Sequence, residues 1–394
     1  MLGERLKRFR IARGMSLVDL ETAIDHLVSS STLSKYEKGT LQPSAKTLNR
    51  IAVALGIKSA QLWGEPPCDV ELIAFRKRTQ LGKKEQERIK AFVAEEVEKR
   101  IWLQEQIAEQ NTLELPILGI TVKNLDDAEE AAYTLRNMLN LGIAPIENLI
   151  GVLEDHGIYI IEVNASESFD GISAVARDEH DKIIAAVIAI RSDVPGDRQR
   201  LNITHELGHL ILDIHQNVDT EKAAFRFGAA FLAPAEQLRK DVGQQRKRFY
   251  KKQLFDLKNR YGMSIQAILY RLKDLEIITD TYYKKWCVDI NKWGWKKSEP
   301  IDIFPEKPER FCQQVHHALS DGLITEKDVE RLLNRTGQTT PDKPLSERRQ
   351  FLALPRKERH RILSEQAKEM ANFYENNKEW QEWEGGPVVE HHHT

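Results

Sequence analysis

At 394 residues the chain is long enough for two or three domains, and 30% charged with 41% hydrophobic residues is ordinary for a globular protein with a real core. A formal net charge of −2 carries no chain-wide signal for nucleic acid, so evidence of that kind has to be local. Cys68, Cys287 and Cys312 are too far apart for a disulfide framework, the start MLGERLKRFRIARG is charged, and the longest apolar run, residues 183–190, is too short for a span, so a cytoplasmic protein without membrane association is expected.

Residues 2–63 read as five short helices. The first, 2–12, is amphipathic; Ser16, Ser29 or Ser30, Ser44 and Ser59 can cap the next four. This order, with SSSTLSKYEKG, Pro43-Ser44 and RIAVALGI, resembles an Xre-type helix-turn-helix domain over 1–66. The resemblance implies that the third helix enters the major groove of double-stranded DNA and presents Ser30, Ser31, Thr32 and Lys35. Arg5, Lys7, Arg8, Arg10, Arg13, Lys38 and Lys46 outnumber nearby acids and suggest a modest basic surface. The chain departs from the family at Leu17, Val18 and Asp19, where a glutamine is common, and in the turn IDHLVSS, which is about two residues longer than usual and lacks glycine. A protein-docking module with a solvated basic face is the other reading. Residues 69–110 are charged and read as helical, with an apolar stripe through Phe75, Ile89, Phe92, Val93, Val97, Ile101, Leu103 and Ile107. A stiff helical spacer over 67–115 is expected, as a connector or as the helix of a homodimer; Pro66, Pro67 and Gly82 are its few breakers.

From Pro116 the pattern changes. Residues 126–141 and 146–156 read as helices, and 158–163, 172–176 and 183–190 as strands separated by NASESFDG and RDEHDK. One of these strands is expected to form the sheet edge beside which a substrate chain could lie. Arg198 and Arg200 suit either a substrate carbonyl or carboxylate or an internal ion pair. Next comes His205-Glu206-Leu207-Gly208-His209, flanked by Ile203, Leu210, Ile211 and Ile214 at helical spacing. Histidines four apart share a helix face and can bind one metal, while Glu206, one position round, can act as general base on a water. Two residues compete as third ligand. His215 has the offset of the HExxHxxGxxH pattern, but Leu212 stands where that pattern turns on glycine, so the helix is expected to continue and carry His215 away. Glu221 opens a second apolar-periodic segment, through Ala224, Phe227, Ala230 and Phe231 to Pro234, and fits better. Two histidines, one carboxylate and a water make an open catalytic zinc shell, and manganese would suit the same donors.

The runs RQRLNITHELGHLILD and EKAAFRFGAAFLAP, continued by LKNRYGMSIQAILYRLKDLEIIT and WGWKKSEP, resemble the ImmA/IrrE family of zinc metallopeptidases. That resemblance implies a zincin-like peptidase domain over 116–300, with a small sheet, the HExxH helix, zinc on His205, His209 and Glu221, and Glu206 as the base. It also implies a protein substrate, a transcriptional repressor or antitoxin-like protein cut at one site. Gly228 and Ala233 stand where the family usually has alanine and methionine. Residues 250–335 read as helical through Leu254, Leu257, Ile265, Ile268, Leu269, Leu272 and Ile277, with 301–337 as an extension; Trp286, Trp293 and Trp295 point to core or interface. From QTTPDKP onward, 338–394 resembles short bacterial antitoxins, the other reading being a charged helix packing through Ile362, Leu363, Met370, Phe373 and Tyr374; His391 to His393 carry no metal role. The expectation is an α+β chain, mostly helical, acting as a DNA-associated regulatory zinc endopeptidase. The alternative is a helix-turn-helix regulator or toxin–antitoxin component whose zinc domain senses or docks a partner without cutting it.

Overall fold

The computed structural model describes residues 2–64, 67–73, 81–107 and 115–333. Five helices open the chain: α1 (Leu2–Ala12), α2 (Leu17–Ala23), α3 (Ser30–Glu37), α4 (Ala45–Ala54) and α5 (Ala60–Trp63). A serine oxygen can accept one of the N–H groups that a helix start leaves unpaired. Ser16 accepts from Asp19, Ser29 from Thr32 and Ser44 from Thr47, whereas Ser59 makes no such bond and the short α5 is held by the burial of Leu62. Leu6, Phe9, Leu20, Leu33, Leu48 and Ile51 close a common core. The turn between α2 and α3 manages without glycine because Asp25 and His26 take the left-handed region themselves, at φ of 56° and 54°. Polar residues of this kind tolerate that region better than β-branched ones.

The segment expected to be a wholly helical spacer is divided. Asp69–Leu72 forms a strand, β1, and helix α6 (Lys83–Ile107) comes after it. Asp-Val-Glu-Leu alternates charged and apolar residues, the period of a strand, over too short a run to stand out from a charged stretch. Phe75, Pro66 and the expected helix beyond Ile107 lie outside the described residues. Along one side α6 packs Ile89, Val93, Val97 and Ile101 against the sheet, so its apolar stripe is consumed within its own chain as a connector. Glu95, Glu96, Glu98, Lys99 and Arg100 of the same helix are also buried. Arg13 donates to Glu95 at 2.8 and 3.0 Å, and Arg5 at 3.3 Å and Arg8 both donate to Glu98. The three guanidiniums stand 5.4 to 5.7 Å from the Phe9 ring. Arg10 forks onto Glu37 at 2.6 and 2.8 Å. These four arginines therefore face carboxylates inside the chain and do not form the expected basic surface; Lys7, Lys38 and Lys46 remain exposed. The sequence displays the arginines but gives no sign of the glutamates that meet Arg5, Arg8 and Arg13 more than eighty residues later.

Strand β2 (Ile120–Val122) and helices α7 (Leu125–Met138) and α8 (Leu149–Asp155) lead to β3 (Ile158–Val163), β4 (Gly171–Arg177) and β5 (Ile183–Arg191). Then come α9 (Gly196–Ile211), β6 (Leu212–Ile214) and α10 (Thr220–Leu232). The main sheet runs β1-β4-β5-β3, with β3 parallel to β5 and the other pairs antiparallel. β1 sits on the outer side of β4, Asp69 opposite Arg177 and Leu72 opposite Ala174. Both faces of the sheet are covered, which explains why β5 is apolar almost throughout: Ile188 and Ile190 join the core shared with α9 and α10, while Val187 and Ala189 face α6. The expected continuation of α9 past Leu212 does not occur. Leu212–Ile214 pairs in parallel with β2, and the Leu118 and Gly119 amides bond to the last carbonyls of α9 at 2.7 and 3.1 Å, so a neighbouring backbone ends the helix where glycine is missing.

Six helices complete the described chain: α11 (Ala235–Val242), α12 (Lys251–Tyr261), α13 (Ile265–Asp274), α14 (Asp280–Lys292), α15 (Arg310–Ser320) and α16 (Glu326–Leu332). Trp286 enters the main core, with the rings of Trp293 and Trp295 tilted against each other 4.7 Å apart near it. Among the described residues no helix is long and apolar enough to cross a membrane. Burial pushes the Cys68 thiol up to about 12, whereas Cys312 is exposed. Because the thiolate is the reactive form, Cys312 should react with an alkylating reagent at pH 8 roughly a hundredfold faster than Cys68 in the native chain, a gap that closes in denaturant. Equal native rates, tracked by mass spectrometry, would contradict this burial.

Candidate metal centre

Three devices fix the helix that carries the histidines. Its N-terminus lies under an extended strap, where the Gly196 amide bonds the Ile303 carbonyl at 2.8 Å and a side chain at Gly196 would meet the Phe304 oxygen at 2.3 Å. Lys258 is buried between Asp197 at 2.5 Å and Glu299 at 2.8 Å. Burial alone would lower its pKa, but the two carboxylates outweigh it and keep the ammonium charged. Arg200 bonds the Ile146 carbonyl at 2.6 Å and pairs with Glu306, while Arg198 pairs with Asp170 at 2.7 Å. Both arginines ahead of the motif therefore make internal ion pairs.

The second helix of the centre, α10, lies close against α9. A Cβ added at Gly208 would stand 3.1 Å from the Ala224 Cα, and one at Gly228 would stand 2.9 Å from the Thr204 hydroxyl and 3.1 Å from the His205 amide nitrogen. Two glycines thus let the helix backbones approach. Asp219 caps α10 by accepting from the Lys222 amide at 3.1 Å, and its first turn presents Glu221. The result is convergence: the Nε2 atoms of His205 and His209 lie 3.1 Å apart, and the Glu221 oxygens lie 3.3 Å from the first and 3.6 Å from the second. Both histidines are buried, and the three donor groups fall within 4.8 Å of one another. Two nitrogens bound to one tetrahedral ion at the usual zinc distance would be separated by about 3.3 Å, so this spacing and this donor set fit a zinc ion. His215 lies outside the group: its amide bonds the Val122 carbonyl at 2.9 Å, and its Nδ1 accepts from the Asn217 amide at 3.4 Å.

Glu206 is buried and packs against the first residue of β4. A Cβ at Gly171 would stand 3.0 Å from the Glu206 Cγ and 3.2 Å from its Oε1, so a side chain there would press the carboxylate to shift by a few tenths of an ångström. The Phe-Asp-Gly stretch at 169–171 could have indicated this, but it reads equally well as a strand turn. Sequence reasoning also missed Phe225, whose ring centroid lies 4.1 Å from that of His205.

Residues 6–62 match the family model described as helix-turn-helix, and residues 153–273 match that of the IrrE N-terminal-like domain. The chain joins a helix-turn-helix domain to an IrrE N-terminal-like peptidase domain. No curated protein and no solved structure matches it. The tail 338–394, with its resemblance to antitoxins, lies outside both matched segments and outside the described residues. In the helix-turn-helix domain Ser31 and Lys35 are exposed, whereas Ser30 and Thr32 are half-buried. Their amides are already engaged, Ser30 by Glu21 at 2.7 Å and Thr32 by the Ser29 hydroxyl at 3.3 Å.

The α9–α10 contact of the IrrE-like domain sets a prediction. Thr204 cannot swing away from a side chain at 228, because its hydroxyl bonds the Arg200 carbonyl at 3.0 Å in a fully buried site. Gly228→Ala should therefore destabilise the chain by about 1–3 kcal/mol, the usual range for overpacking. Urea denaturation measures it; unchanged stability would mean the helices are not in this contact.

Proposed function

We propose that the chain is a cytoplasmic, DNA-associated regulatory zinc endopeptidase that cuts a repressor or antitoxin-like protein at one site. The convergence of His205, His209 and Glu221, with Glu206 on the helix of the two histidines, carries this reading. His205, His209 and Glu221 would hold the ion. When bound, zinc supplies Lewis acidity to a carbonyl and makes water nucleophilic near neutral pH; manganese would suit the same donors. Glu206 takes the proton from the attacking water and delivers it to the departing amine nitrogen as the C–N bond breaks, which regenerates the carboxylate. Burial of Glu206 away from bulk water favours that transfer over loss of the proton to solvent.

The helix-turn-helix half supports the association with double-stranded DNA. Lys35 and Ser31 are the exposed members of the α3 quartet and would meet phosphate and base edges, with Ser30 and Thr32 at the margin. The reading in which the chain regulates without cutting draws on α6, which packs against both α1 and the peptidase sheet. It would make the zinc-type domain a docking or sensing module.

Glu206→Gln should bind zinc with unchanged stoichiometry and slow cleavage by roughly 10²- to 10⁴-fold, the usual share of a general base. Cleavage at the native rate would remove the role. For DNA, Lys35→Ala should weaken binding to the chain's upstream region and flatten the salt dependence by about one phosphate contact, read by gel shift across a salt series. An unchanged slope would take Lys35 off the DNA.

A further inference from the structure

Beside the metal centre opens a cavity of about 430 Å³, bounded by Leu201, Phe225, Met263, Ala267, Tyr270 and Tyr283. The ligands themselves do not line it; it adjoins the centre through Phe225. Phe225 stands against the His205 ring, Leu201 precedes His205 by one turn of α9, and Lys222 at the rim comes directly after Glu221. The walls are apolar and aromatic, and the charged groups at the floor are balanced, Arg226 lying 2.7 Å from Glu129 and 3.0 Å from Asp274. Lys222 at the rim is exposed, with Asp219 4.0 Å away. Leu125, Phe225 and Tyr270, which border the cavity, are large apolar side chains left exposed to solvent. Such clustering marks a surface that binds something apolar.

We infer that this cavity selects the cleavage position by receiving a large apolar or aromatic side chain of a residue flanking the scissile bond. The inference rests on the peptidase reading above and adds the substrate class. A side chain in the cavity would lie against the Phe225 ring, which itself touches the His205 ring, and this brings its backbone within reach of the centre. Charged side chains would lose hydration that one exposed lysine at the rim repays only weakly, and glycine or alanine would leave the walls uncovered.

The zinc-loaded full chain is incubated with a mixed-sequence peptide library and the cut bonds are mapped by mass spectrometry. One position next to the cut should be enriched about tenfold or more in Phe, Tyr, Trp, Leu and Met over Gly, Asp and Lys, since side-chain pockets discriminate on this scale. Ala267→Trp fills the cavity from α13 and should move the preference to Gly and Ala. Tyr270→Lys, at an exposed position of the lining, puts a charge against the apolar walls and should cut the enrichment severalfold. Cleavage without such a preference, or a preference unmoved in both variants, overturns the inference. If the wild-type chain cuts nothing, the peptidase reading fails, and a second measurement decides the cavity. Saturation-transfer NMR with N-acetyl-phenylalaninamide on the metal-free chain should show binding that Ala267→Trp abolishes; no binding to the wild type, or binding that survives the substitution, overturns the inference.

Discussion

Everything at the candidate centre depends on how near α10 lies to α9. The histidines need only their own helix, because positions four apart on one turn always share a face. Glu221 is different: it sits twelve residues beyond His209, on another helix, and its carboxylate reaches the imidazoles only because Gly208 meets Ala224 and Gly228 meets Thr204 without side chains between them. An alanine at either glycine puts a methyl group into a contact already at van der Waals limits. The departure from the family pattern at Gly228 is in this view a packing solution, a glycine opposite a threonine that is itself pinned by the Arg200 carbonyl.

The same helix is held from outside by groups whose burial would be costly if they stood alone. Lys258 and Arg200 are deeply buried, and each is met by carboxylates or carbonyl oxygens. Removing one partner from such a pair leaves a desolvated charge, which costs about 3–5 kcal/mol, whereas the intact pair adds little net stability. These contacts are better understood as fixing position: they allow one placement of α9 under its strap and penalise others. The junction between α1 and α6 uses the same principle, with three arginines set against Glu95 and Glu98 over the Phe9 ring.

Much of this was legible in the residues. The helical period around the HELGH run and the second apolar segment opened by Glu221 predicted two helices, and both are present as α9 and α10. The three central strands were equally visible, since Ile, Val and Ala runs bounded by turn residues have one simple reading. The features that escaped depend on contacts distant in sequence. β1 is four residues long and exists because β4 offers it an edge; α9 ends at Ile211 because β2 arrives to pair with Leu212–Ile214; Gly171 matters because Glu206 comes to rest on it. None of these leaves a periodic signature. The arginines of α1 misled for the same reason, as a positive charge in a sequence looks identical whether it faces phosphate or a glutamate.

β1 and α6 come from the stretch between the two matched segments, yet they belong to the peptidase sheet, one along its rim and the other across a whole face. The limits of sequence similarity, 153–273, are therefore not the limits of an autonomous folding unit. Cut at those limits, the fragment would bare an unpaired strand and a sheet surface of isoleucine, valine and alanine, the pattern that invites intermolecular strand addition. The tether between the two matched segments is thus also part of the second one's scaffold.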